Sequence, residues 1–432
     1  MGKNRKQVGG VWWWSRTGGE AHADADGCMT PAVSKSSRFP PCGNDTFLSL
    51  WLFKKKNLTM FSDEIRTEEQ INHLNRHEYT RTGRTFVEPF MEPYWWWPVA
   101  DLVPRTINAN VISVFGVILN IISTVVLMYY APTATEEAPR WAYSLAGVNI
   151  FLFQTCDSVD GRQCLRYKTK LNWHLQLAEL FDHACDSITK VCVTIEFGIC
   201  MKIGGRPELF VPFMLTAMFM FFTAHWQTYI SGLVRFTTFD VLEAQQALCF
   251  GYLATAVMGP DIWAKKAFAL EWRELIIIAT AMSSILKFFN QAAFVWGRGH
   301  RVTVAGTSML GPSLHIATAF LLTIVTKVMT NLYERQPCVF LIIFGLIEAK
   351  MSNQFMTAYM YKSKVKLLDS TLLGPLILCV NHLLNEPIQG YALLWIVMVY
   401  CAADWLLYFR RVSLGMCRLL QVTCFGSYKF ED

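Results

Sequence analysis

Apolar runs longer than the roughly 18 residues that cross a bilayer recur from about residue 109 to the C-terminus. No other feature restricts the fold as strongly. A segment inside a bilayer must satisfy its own backbone polar groups, so runs of this length fold as spanning helices. Of the 432 residues, 53% are hydrophobic and 17% charged, whereas soluble proteins average about 25% charged. The chain therefore reads as an all-α, polytopic membrane protein. About ten spans are predicted: residues 110–130, 141–156, from the Asp182 and Asp186 pair to 200, 209–233, 244–258, 275–296, 304–329, 337–359, 371–384 and 391–409. An even count puts both termini on one side. Twelve basic residues between Arg162 and Arg411 flank that side and seven between Arg140 and Arg335 flank the other, which makes the first side cytosolic.

The net charge of +6 is spread through loops. It suits an anionic leaflet better than nucleic acid, since no basic helix with interleaved aromatics occurs. The thirteen cysteines form no CxxC pair and most lie in apolar segments, where they read as small buried residues. Residues 1–60 are rich in Gly, Ser, Pro and charge, interrupted by Trp12, Trp13 and Trp14. They read as a disordered cytosolic extension without a secretory signal, leaving the sequons at Asn44 and Asn57 unused. Residues 61–104 begin polar and helix-prone behind Ser62, then turn aromatic. Trp95, Trp96 and Trp97 belong at the water–lipid boundary, so an interfacial amphipathic helix is expected over 86–103.

Charge inside the apolar part concentrates between Asp157 and Asp186. Asp157 and Asp160 are three apart, Asp182 and Asp186 four apart, so on helices each pair shares a face. Glu179 extends the second face by one turn. Two such faces brought together make an all-oxygen nest for one or two divalent cations, Mg²⁺ or Mn²⁺. Taken alone, one such pair also fits a helix cap or a solvated face. His225, Lys287, Lys327, Glu348, Lys350, His382 and Asp404 are further polar residues within spans. Glu348 and Lys350 are two apart on one helix, so each needs a separate partner.

The acidic stretch resembles the signature of the CDP-alcohol phosphotransferases, D-x2-D-G-x2-A-R-x8-G-x3-D-x3-D. Glu179 to Asp186 is similar to the form found in the eukaryotic choline and ethanolamine branch. So are His225 to Tyr229, Ser231 and Gly232, Asp240 and Glu243, Phe344 to Asn353, Leu368 to Ser370, and Gly374 with Pro375. Asn110 lies in a segment similar to the family's P-N-x-I-T. The resemblance covers roughly residues 80–410, and the branch has ten helices.

The resemblance implies an enzyme of the endoplasmic reticulum or a related endomembrane, its active site facing the cytosol. It implies transfer of phosphocholine or phosphoethanolamine from the CDP-alcohol to diacylglycerol, releasing CMP. Asp157, Asp160, Asp182 and Asp186 would hold two metal ions, and His183 would be the catalytic base. Asn110 and Glu179 would contact the nucleotide, with Gly161 allowing close backbone approach. On this reading 105–260 is the catalytic core, 261–412 the C-terminal helices and 413–432 a cytosolic tail, and a homodimer is implied. Three departures stand out. The family's Ala-Arg pair is Cys164-Leu165, both later glycines are alanines (Ala178 and Ala184), and four extra residues separate the two halves. Leucine cannot clamp a phosphate, so Arg162 and Arg166 are the candidate substitutes. The alternative is a catalytically weakened relative that binds nucleotide or lipid or regulates an active transferase. A transporter is a further reading, against which no inverted repeat is evident.

Overall fold

The computed structural model describes residues 6–8, 11–13, 67–166, 173–366 and 368–426. The expected disorder and sequons of residues 1–60, and Ser62 as a cap, fall outside the described residues, except that Lys6–Val8 pairs antiparallel with Val11–Trp13. Glu68–Asp432 forms a separate compact unit.

That unit is helical, and each predicted span corresponds to a helix. We number these α1 Ala109–Tyr130, α2 Arg140–Arg166, α3 Trp173–Cys200, α4 Pro207–Ser231, α5 Val241–Met258, α6 Trp272–Gly297, α7 Ser313–Met329, α8 Pro337–Tyr361, α9 Leu373–Leu383 and α10 Gly390–Leu420. Among the described residues α1, α4, α6, α8 and α10 are long and apolar enough to cross a membrane, making the chain a multi-pass membrane protein. The helices start where the sequence chemistry directs. Asn108 caps α1 by accepting from the Asn110 amide, Pro207 and Pro337 open α4 and α8, and Asp240 with Glu243 forms a capping box on α5.

Several boundaries differ from expectation. Helix α2 does not stop at Cys156 but runs ten residues on, and α3 starts well before Asp182, so all four aspartates are intrahelical. Asp160 is met by the Ser113 hydroxyl and the Gly161 amide, whereas Asp157, Asp182 and Asp186 gather into one cluster, described below. Helix α7 begins at Ser313 rather than near 304, because Gly306, Gly311 and Pro312 break the preceding stretch. Helix α9 has only 11 residues behind a one-turn Ser370–Leu372 3₁₀ helix, about 16 Å at 1.5 Å per residue, short of the roughly 30 Å hydrocarbon core.

Helix α3 is the hub, touching α1, α2, α4, α5, α8 and α10. Helix α8 is buried along nearly its whole length. Its two charges find the separate partners that the sequence demanded. Glu348 meets Lys190 on α3, and Lys350 meets Asp369 and Asp404 at 2.7 and 2.6 Å. The other intraspan cations are paired too: Lys287 with Asp240 at 2.5 Å and Lys327 with Glu334 at 3.3 Å.

The segment before α1 folds as Glu68–Asn75, a helix packed on α8, then a strand, Arg81–Thr82, parallel to Val234–Arg235 after α4. Gly83 follows the first strand with φ of +83°, and a Cβ there would lie 2.0 Å from the Phe236 carbonyl oxygen, so only glycine fits. The segment expected to form an interfacial helix is helical over Glu88–Met91, Glu92–Trp96 and Trp97–Leu102, the middle part in π geometry. It exposes Phe90, Tyr94 and Leu102 while burying Trp96. An apolar outer face with aromatic residues is what a helix lying in the interface needs.

Candidate active site

Antiparallel packing of α2 against α3 sets Asp157 opposite Asp182 and Asp186. One carboxylate oxygen from each lies within 4.8 Å of the other two, and all three side chains are half-buried. Three carboxylates this close repel one another unless a cation or protons offset the charge. Among the described residues, no lysine or arginine forms an ion pair with any of them. An all-oxygen, partly accessible donor set of this kind fits Mg²⁺ or Mn²⁺.

Asp160 lies one turn on and is turned toward α1. Its carboxylate accepts from the Ser113 hydroxyl and from the Gly161 amide, and it is 5% exposed. Gly161 itself faces open space, since a Cβ built there would meet nothing within 4 Å.

His183 follows Asp182 on α3 and so points about 100° away from it, toward α4. Its ring packs edge-on to His225 with centroids 5.4 Å apart. Lys190, one turn beyond Asp186, pairs with Glu348 and lies 5.1 Å from the Phe221 ring. A line of interlocked side chains thus backs the carboxylate cluster.

The remaining expected residues have definite partners. Glu179 Oε2 is 2.8 Å from His77 Nε2, and both side chains are enclosed. Asn110 donates its amide to the Cys424 carbonyl at 2.7 Å, Asn108 does the same to Gly426, and Phe425 packs on Phe181. The residues after α10 therefore lie against the start of α1, which puts those two helix ends on the same side. Arg162 donates to the Ser158 carbonyl, pairs with Glu92 and faces Trp96 and Trp97. Arg166 donates to the carbonyls of Ala100 and Val103 and to Gln163. Both arginines thus bind the interfacial segment. Leu165 lies between them, half-buried.

His77, Ser113, Lys190 and the carbonyls of Cys424 and Gly426 were not singled out from the sequence. Two carried a signal: Ser113 is three residues past Asn110 on one helical face, and Lys190 is four past Asp186. The partners from outside the helices carried none, because contacts over some 100 or 300 residues leave no local pattern.

Over 364 residues the chain is 36% identical to cholinephosphotransferase 1 of Danio rerio, an alignment covering 83% of this chain and 94% of that protein. Against cholinephosphotransferase 1 of Homo sapiens it is 34% identical, covering 82% and 88%. An uncharacterized CDP-alcohol phosphatidyltransferase class-I family protein of Dictyostelium discoideum is 24% identical over 83% of this chain and 87% of its own length. No protein-family model matches.

Proposed function

From the premise that the chain belongs to the CDP-alcohol phosphatidyltransferase family, in its cholinephosphotransferase branch, we propose that it transfers phosphocholine from CDP-choline to diacylglycerol, forming phosphatidylcholine and CMP. The convergence of Asp157, Asp182 and Asp186 beside His183 carries the reading.

Asp157, Asp182 and Asp186 would hold Mg²⁺ or Mn²⁺, with Asp160 completing the set once its bonds to Ser113 and Gly161 rearrange. The bound cations would offset charge on the pyrophosphate and on the departing CMP. His183 takes the proton of the diacylglycerol hydroxyl as that oxygen attacks the β-phosphorus. The bond from the β-phosphorus to the bridging oxygen breaks, and CMP leaves with its electron pair. Open space at Gly161 supports close approach of the nucleotide, and Asn110 and Glu179 are its proposed contacts. For Asn110, binding would require release from the Cys424 carbonyl. Diacylglycerol reaches the site laterally from the bilayer. The protein is further read as an enzyme of the endoplasmic reticulum or a related endomembrane with this site facing the cytosol. CDP-ethanolamine is a second donor and a homodimer the assembly.

The test uses membranes lacking endogenous transferases, radiolabelled CDP-choline or CDP-ethanolamine, diacylglycerol and Mg²⁺ or Mn²⁺. Labelled phosphatidylcholine is expected, and Asp186→Asn should abolish it. Mn²⁺ should raise the thermal midpoint of the parent protein but not of Asp186→Asn. Folded parent protein that yields no labelled lipid would leave the weakened-relative reading, for which Leu165 is the sequence support.

A further inference from the structure

Behind the carboxylate cluster, two histidines on different helices have complementary unmet hydrogen-bonding needs. His225 lies in the last two turns of α4. Its Nδ1 is 2.9 Å from the carbonyl oxygen of Phe221, one turn back. A carbonyl only accepts, so Nδ1 carries the hydrogen and Nε2 presents a lone pair. That Nε2 is enclosed and has no partner among the described residues, and neither has the enclosed Nε2 of His183. The two rings are neighbours, with centroids 5.4 Å apart and planes at 75°. Phe221 also packs on the His225 ring at 4.5 Å.

Two ring nitrogens satisfy each other only if one carries a hydrogen and the other does not. The Phe221 carbonyl has already made His225 the acceptor. His183 is then the donor through Nε2, which leaves the lone pair on its Nδ1. We propose that His225 is a positioning residue for the transfer reaction. It accepts a hydrogen bond from His183 Nε2, directly after a small ring rotation or through one water, and so selects the tautomer in which Nδ1 is the basic nitrogen. The diacylglycerol proton passes to His183 Nδ1 as the new O–P bond forms, and His225 neither gains nor loses a proton. This inference rests on the transferase reading above.

The experiment measures steady-state kinetics in proteoliposomes with CDP-choline, diacylglycerol and Mn²⁺. His225→Phe keeps a ring but removes the acceptor. Its kcat should fall roughly ten- to hundredfold with KM for CDP-choline within about twofold of the parent. His225→Gln offers an amide oxygen in place of the lone pair and should recover kcat to within about fivefold. A purely packing role predicts the reverse order, with phenylalanine the better replacement. The inference is overturned if His225→Phe stays within about threefold of the parent kcat, or if both variants are equally impaired. Should His225→Phe not fold, His225→Gln decides alone: a loss of about a hundredfold or more overturns it. His183→Ala separates the two claims. Active parent, inactive His183→Ala and fully active His225→Phe would remove only this inference, whereas inactive parent protein removes both.

Discussion

His77 Nε2 and Glu179 Oε2 meet at 2.8 Å where the segment before α1 joins the helix that bears Asp182 and Asp186. The two side chains are only 7% and 4% exposed, and Gln176 on the same helix donates to the carbonyls of Leu74 and His77. An enclosed carboxylate that loses its partner bears the full cost of desolvation. His77→Ala should therefore lower stability by about 1–3 kcal/mol. It should also raise KM for CDP-choline, since Glu179, a proposed nucleotide contact, loses its orientation. Thermal unfolding in detergent and initial-rate kinetics measure the two effects. An unchanged midpoint would mean that the pair contributes nothing.

Lys350 joins three elements at once. Its ammonium contacts Asp369 before the 3₁₀ turn, Asp404 on α10 and the Ser370 hydroxyl. Lys350→Met strands two carboxylates and should cost about 3–5 kcal/mol, whereas adding Asp369→Asn and Asp404→Asn to it should restore much of that loss. Burial acts to raise the Asp369 carboxyl, but Lys350 and the bonds from Thr371 outweigh it and hold it below its ordinary value. A depressed carboxylate stabilises the fold above its unfolded value of about 3.9, and that contribution is lost as the pH falls further. The thermal midpoint should therefore drop below about pH 4, and drop less steeply in Asp369→Asn. Parallel profiles for the two proteins would contradict the assignment.

The long apolar runs made the ten helices legible because each span is specified by its own residues. Helix ends were less legible where tertiary partners decide them. Asp157 and Asp160 read as a boundary, yet α2 continues through them because Ser113 and the Gly161 amide meet Asp160 inside the bundle. The spacing read each aspartate pair onto one helical face, and the packing of α2 on α3 is what brings Asp157 to Asp182 and Asp186. The same spacing did not show that Asp160 turns to α1, or that Glu179 turns away to His77. Those orientations depend on neighbours from distant parts of the chain, and a helical wheel carries no information about them.

Leu165 stands where the resemblance implies a phosphate-binding arginine, and the geometry shows what its neighbours do instead. Arg162 is held by the Ser158 carbonyl and Glu92, and Arg166 by the carbonyls of Ala100 and Val103. Either would have to break bonds to the interfacial segment before reaching a pyrophosphate. A guanidinium at position 165 would have no such prior engagement, and a charge-assisted bond to phosphate contributes about 1.5–3 kcal/mol. Leu165→Arg should accordingly lower KM for CDP-choline by about tenfold, the factor that 1.4 kcal/mol yields, with a smaller change in kcat. The same substitution in an Arg162→Gln background should rescue whatever affinity Arg162 supplies. Titrating CDP-choline against all three variants decides the matter. An unaltered KM in Leu165→Arg, joined to a large rise in Arg162→Gln, would show that Arg162 leaves Glu92 and clamps the substrate itself.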